Sequence, residues 1–278
     1  MYYYSMRPPP PFPTPSGGIG DVDTLKARLS SARAGTGEVA AVVASVTFQP
    51  RAAAFTSLIQ AASKSKDTQK ALEIFRAMQD VAGVQANTFT YSALISALAK
   101  SGQWELAEHY FYELKGCAGD DPRTQPNTVT FSALINAYEK GGQLDRALQA
   151  FQAQLDAEVD PDLITFSSLV SACERAGRCD WAAALLDMMH SFGLSGSAHM
   201  YNAVIAACGS DWNTALEVFL GMQCALVAPM PSTLSLLCQC AASAQELDHL
   251  VSLGVLLEET GCRLTAALLA TVMRTLSR

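Results

Sequence analysis

The chain has no Cys-x-x-Cys pair, no His-x3-His or His-Glu-x-x-His spacing, and no glycine-rich phosphate loop. The first two absences leave no ligand set at the spacings zinc sites use, and the third leaves no cradle for a nucleotide phosphate. Neither a metal nor a cofactor is expected. Charge is scarce too, since only 16% of the 278 residues are Asp, Glu, Lys or Arg. The 19 basic residues are outnumbered by 26 acidic ones, for a net charge of −7. That balance excludes a strongly basic nucleic-acid binder whose overall field draws phosphate in. Long apolar runs are missing: Val39 to Val46 is the longest uncharged one in the N-terminal part. It falls far short of the roughly 20 residues that span a bilayer, so no membrane insertion is expected. Eight cysteines are too sparse for a secreted disulfide framework and are expected to be free thiols, mostly in the core. What the chain does have is apolar residues, half of the total, which excludes a mostly disordered polypeptide.

Residues 1–20 stand apart, with six of the twelve prolines and one arginine. A helix cannot run through Pro8 to Pro11, so this leader is expected to be disordered or polyproline-like. It has neither the order of a signal peptide nor the Arg and Ser content of a transit peptide.

From residue 52 the chain repeats itself. The segments AAAFTSLI (52–59), TFTYSALI (88–95), TVTFSALI (128–135), LITFSSLV (163–170), AHMYNAVI (198–205) and PSTLSLLC (231–238) align, at intervals of 36, 40, 35, 35 and 33 residues. A period near 35 is the signature of a stacked array. Each repeat carries two apolar stripes. Tyr91, Leu94, Ile95 and Leu98 fall at i, i+3, i+4, i+7, one face of a first helix, A. Ala71, Leu72, Phe75 and Met78 mark a second helix, B, and later repeats carry equivalents. Gly102, Gly141 and Gly177 sit where helix A should end. Asn or Asp precedes the next helix A, as an N-cap does. One such hairpin cannot bury both stripes, so hairpins must stack. The expected fold is an all-α, right-handed α-solenoid of helix-turn-helix repeats. The expected organisation is a degenerate repeat or cap at 21–51, repeats at 52–87, 88–127, 128–162, 163–197, 198–230 and 231–265, and a capping helix at 266–278.

Thr-Phe-Thr-Tyr-Ser-Ala-Leu-Ile, then Ala-Lys-Ser-Gly, then a helix B with Ala, Phe and Met, then Pro-Asn or Pro-Asp, resembles the pentatricopeptide repeat family. The resemblance covers about residues 52–265, strongest over the first four repeats. Tetratricopeptide repeats have a similar period, but place a Gly or Ala eight residues in and a Pro at the end of helix B. The family binds single-stranded RNA at one base per repeat. By that resemblance, the fifth and last residues of each repeat form a reading pair. The pairs are Thr56 with Asn87, Ser92 with Asn127, Ser132 with Asp162, Ser167 with Ser197, and Asn202 with Met230. The family's code then implies adenine for the first two pairs and guanine for the third, while the fourth and fifth depart from it. Without the family, a Ser or Thr near a helix start reads first as a cap or a solvated side chain.

The thirteenth residue of four repeats is basic: Lys64, Lys100, Lys140 and Arg175. Cations so spaced suit a phosphate backbone, and cations at a helix C-terminus also suit the helix dipole. Acids gather on helix B, at Glu73, Glu105, Glu108, Glu113 and Asp145. No Lys or Arg occurs from Cys179 to Cys262, so RNA contacts are expected in the first four repeats, and protein partners at the acidic C-terminal ones. No catalytic residue is identified. Some family members carry a nuclease or deaminase-like domain after the array; the chain stops thirteen residues past the last repeat, so no enzyme activity is expected. The expected function is non-catalytic, sequence-selective RNA binding in chloroplast or mitochondrial RNA metabolism. A scaffold holding a partner peptide or helix in its groove is the alternative.

Overall fold

The computed structural model describes residues 20–48, 50–117 and 124–243. The leader, the second helix of the sixth repeat and the expected capping helix lie outside the described residues. Within them are thirteen helices and no β-strand. A leading pair, α1 (Val22–Ser31) and α2 (Glu38–Ala44), precedes α3 (Ala52–Lys64), α4 (Thr68–Asp80), α5 (Thr88–Lys100) and α6 (Trp104–Cys117). Then come α7 (Thr128–Lys140), α8 (Leu144–Asp156), α9 (Leu163–Ala176), α10 (Cys179–Ser191), α11 (Ala198–Cys208), α12 (Trp212–Cys224) and α13 (Pro231–Ser243). The fold is an all-α repeat of the solenoid class.

Side-chain caps set the helix starts. Asn87 Oδ1 accepts the Thr90 N–H at 3.0 Å, Asn127 Oδ1 the Thr130 N–H at 3.1 Å, and Asp162 Oδ1 the Thr165 N–H at 2.8 Å. Each satisfies an amide that the first turn leaves without a partner. Asp67 and Asp211 cap α4 and α12 in the same way. The hydroxyl and amide of Thr214 hold the Asp211 carboxyl below its ordinary range.

The chain forms two compact units, residues 1–130 and 131–278, parted within the first turn of α7. In the first unit α3 packs on α5, and each lies against its own B helix, α4 or α6. Phe55, Ile59, Phe75, Met78, Leu94, Ile95, Leu98 and Leu114 form its core. Phe75 meets Tyr91 and Tyr110 edge to face, at 5.2 and 5.3 Å between centroids. The leading pair buries Leu25, Leu29, Val39 and Val43. Buried Lys70 fastens it by donating from Nζ to the Ser30 and Ala32 carbonyls at 2.9 and 2.7 Å, at the C-terminal end of α1. In the second unit α9 packs on α11 and α11 on α13. Phe166, Leu169, Val170, Tyr201, Val204, Ile205 and Phe219 fill its core.

Of the described cysteines, 173, 208, 238 and 240 are buried, Cys179 is half-buried, and 117 and 224 are exposed; all are free thiols. Burial pushes Cys173 and Cys240 up to about 11 and Cys208 up to about 12, so these stay protonated and unreactive near neutrality. Trp212 is buried, whereas Trp181 is 43% exposed.

In the first four repeats the turn from helix A to helix B has a left-handed residue at the fifteenth place. Gly102, Gly142 and Gly177 supply it at φ 73, 68 and 63°. In the third repeat the residue is therefore Gly142, not Gly141, whose amide still bonds to the Ala137 carbonyl at 2.9 Å in the helical manner. The first repeat has Lys66 there, at φ 60°. A Cβ is disfavoured in this conformation. Lys66→Gly is expected to stabilise the fold by about 1 kcal/mol, read as a higher urea midpoint at unchanged m-value.

Candidate functional site

Steps of three and four residues keep a helix on one face, so the second, fifth, ninth and thirteenth residues of a helix A align. On α3 these include Thr56, Gln60 and Lys64, and on α5 they are Phe89, Ser92, Ser96 and Lys100. Together with Val129 at the start of α7 they line one open cleft of ≈ 260 Å³ in the first unit. The structure thus brings two expected base-reading residues and two expected phosphate-facing lysines into a single trough.

The hydroxyls in that trough are not idle. Thr56 Oγ1 lies 3.0 Å from Thr90 Oγ1, and Ser92 Oγ lies 2.8 Å from Thr130 Oγ1. Thr56 is half-buried and Ser92 only 5% exposed, so Ser92 forms cleft floor rather than a projecting arm. Their partners Asn87 and Asn127 are half-buried, each with Oδ1 engaged by the first turn of the next helix.

In the second unit the pairs differ. Ser132 is 4% exposed, while Asp162 is half-buried and its Oδ1 also accepts the Thr165 hydroxyl at 2.9 Å. Ser167 and Ser197 are both exposed, and Ser197 stands at the start of α11 without a side-chain cap bond. Asn202 is buried with both ends of its amide engaged. Oδ1 accepts the Thr233 hydroxyl at 2.6 Å and Nδ2 donates to Ser232 Oγ at 3.0 Å. Both ends of the amide are thus held by the following helix, Nδ2 by exposed Ser232 and Oδ1 by buried Thr233.

The cations also divide. Lys64 and Lys100 are exposed in the cleft, with Lys100 Nζ 3.2 Å from Ser63 Oγ. Lys140 and Arg175 share one buried carboxylate. Glu139, 3% exposed, meets Lys140 Nζ at 3.0 Å and Arg175 Nη2 at 2.6 Å, and its carbonyl takes Arg175 Nη1 at 2.8 Å. These two cations carry an internal counter-ion; the two lysines of the first unit have none within ion-pair distance among the described residues.

Phe89 at 70%, Val129 at 55% and Ile164 at 60% exposure were not singled out from the sequence. All three occupy the second place of a repeat, off the apolar stripe that begins two residues later. A bulky apolar side chain on the polar face of an amphipathic helix is the signal that finds them. Flat or branched apolar surface beside polar and cationic groups can take the face of a base. Among the described residues no group of His, Cys, Asp and Glu could hold a metal ion, and no helix is long and apolar enough to cross a membrane.

A family model, the pentacotripeptide-repeat region of PRORP, matches residues 45–211, more than half of the chain. The chain belongs to the pentatricopeptide repeat family. Among solved structures, the maize pentatricopeptide repeat protein PPR10 superposes with a TM-score of 0.63 at 19% identity, over 92% of this chain and 41% of that one. The present chain therefore spans about two fifths of PPR10. The pentatricopeptide repeat domain of Arabidopsis thaliana protein-only RNase P 1, in complex with tRNA, superposes with a TM-score of 0.54 at 15% identity, over 66% of this chain and 95% of that one. No curated protein matches the sequence.

The capping geometry makes a stability prediction. Asn127→Ala is expected to cost about 1 kcal/mol of unfolding free energy, whereas Asn127→Asp, which keeps a cap acceptor, costs little. Urea denaturation of the two variants checks this.

Proposed function

We propose that this chain is a non-catalytic array that binds single-stranded RNA through the α3–α5 cleft and acts on a transcript in the chloroplast or mitochondrion. The step affected would be processing, stability, editing or translation. One observation carries the reading: the cleft unites an apolar platform, hydrogen-bonding groups and two exposed cations in one repeating strip. Phe89 and Val129 offer stacking surface at successive repeats. Asn87 and Asn127 border the strip and offer amides for base edges. Lys64 and Lys100 stand at its rim for phosphates. Family membership supports the organelle setting, and the tRNA complex of a protein with the same fold supports RNA as the class of ligand.

The family's code assigns A-A-G to the first three repeats, with Ser132 and Asp162 facing the guanine. Selection from a random single-stranded RNA pool should enrich that core; no retention above background at low salt would point instead to a protein partner in the groove. Lys64→Ala with Lys100→Ala should flatten the log K against log salt slope by about 1.4, at about 0.7 for each phosphate left without its lysine. Glu139→Gln should act oppositely, removing the counter-charge of Lys140 and Arg175 and steepening the slope. Unchanged slopes in both variants would remove the cations from the interface.

A further inference from the structure

The third residue of helix A has no assigned part in reading, yet in the first two pairs it contacts both members. Thr130 is fully buried, so no RNA touches it. Its hydroxyl donates to Asn127 Oδ1 at 3.0 Å, and its oxygen accepts the Asn127 N–H at 3.4 Å. The remaining contact, 2.8 Å to Ser92 Oγ, joins the fifth residue of one repeat to the third of the next. A hydroxyl has one proton. The proton of Thr130 goes to Asn127, so Ser92 supplies the proton between the two hydroxyls. Thr90 also donates to Asn87 Oδ1 at 3.0 Å and lies 3.0 Å from Thr56 Oγ1, whose hydroxyl in addition donates to the Ala52 carbonyl at 3.0 Å. Thr165 is likewise buried and donates to Asp162 Oδ1 at 2.9 Å. In the fourth pair this place is held by Met200, which offers no hydroxyl.

We propose that Thr130, and through their bonds to Asn87 and Asp162 also Thr90 and Thr165, are positioning residues that fix which hydrogen-bonding atoms a reading pair turns toward a base. The proposal rests on the RNA reading given above. With its proton held by Thr130, Ser92 offers a base only lone pairs. With Oδ1 held by the amide and hydroxyl of Thr130, the Asn127 amide is locked against flipping and turns its two Nδ2–H donors outward. The second repeat thus presents an acceptor beside a donor, the complement of the N6 amino group and N1 of adenine. Asp162, with Oδ1 held by Thr165, presents Oδ2, a second acceptor. That suits guanine, whose N1–H and N2 amino group are both donors. Asparagine and aspartate therefore select different bases because the buried threonine orients their outward atoms.

The experiment is selection from a random single-stranded RNA pool with the wild type, Thr130→Val and Thr130→Ser, each checked for helix content and melting temperature. Valine keeps the shape and removes the hydroxyl; serine keeps the hydroxyl. Thr130→Val is expected to lose adenine preference at the second base by about five-fold, the worth of one hydrogen bond, with the first and third bases unchanged. Thr130→Ser should keep all three. A preference that survives in Thr130→Val, or a uniform loss at all three bases, overturns the positioning role while leaving the RNA reading intact. A flat wild-type selection overturns the RNA reading and this proposal with it. Should Thr130→Val fail to fold, Ser197→Asn with Met200→Thr tests the converse in the fourth repeat. That variant should gain an adenine preference there, and its absence would overturn the proposal.

Discussion

An inner A helix lies between neighbours and must bury surface on more than one side. In α5 every residue from Tyr91 to Ile95 is buried, and so are Ala97, Leu98 and Ala99. What is left to solvent is a strip, and the strip is where binding chemistry has to be. This constraint also explains why the strip's polar groups are bonded to one another. A hydroxyl half-sunk between stacked helices needs a partner, because an unpaired buried polar group costs about 1–3 kcal/mol. The nearest partner is the first turn of the next helix A, so satisfying the strip links one repeat to the next.

The same geometry reconciles an acidic protein with cations in a cleft. Glu105 and Asp145 lie exposed on B helices, and Lys64 and Lys100 close the last turns of A helices. A cation at that end is favoured by the helix dipole whether or not anything binds. Placed there, it also overlooks the strip. Net charge therefore says little about the cleft, since a sum over the chain ignores which helix face carries which sign. Glu139 shows the fine control available: one buried carboxylate answers two cations and lowers the positive potential of its neighbourhood.

Helix starts and the core were legible in the sequence because both depend on local pattern. Asn87, Asn127 and Asp162 announce a first turn, and Tyr91, Leu94, Ile95 and Leu98 announce a buried stripe. Places 2, 5, 9 and 13 of a helix A also share one face, but Phe89 and Val129 lie outside the periodic apolar stripe, so the pattern that marks the core does not reveal them. What the sequence could not show are contacts spanning a whole repeat. Ser92 meets Thr130 38 residues away, and Arg175 meets Glu139 36 residues away. Each is an ordinary side chain until stacking brings its partner near. Asn202 is the sharpest case. Its position matches that of a reading residue, and its amide is held at both ends by Ser232 and Thr233 of the following helix.

The fourth pair loses its parts together. Ser197 makes no cap bond, Met200 replaces the buried threonine, and the thirteenth place of the repeat that Ser197 precedes is Ser210 rather than a cation. Yet α11 forms from Ala198 to Cys208, buries Tyr201, Val204 and Ile205, and packs on both α9 and α13. Stacking of apolar faces thus suffices to build a helix A. Cap, hydroxyl and cation have different chemistries and no common structural duty that α11 goes without. Nor do the three parts depend on one another: α3 carries Lys64 with no side-chain cap at Arg51 and with Ala54 at its third place, and α13 carries buried Thr233 after Met230.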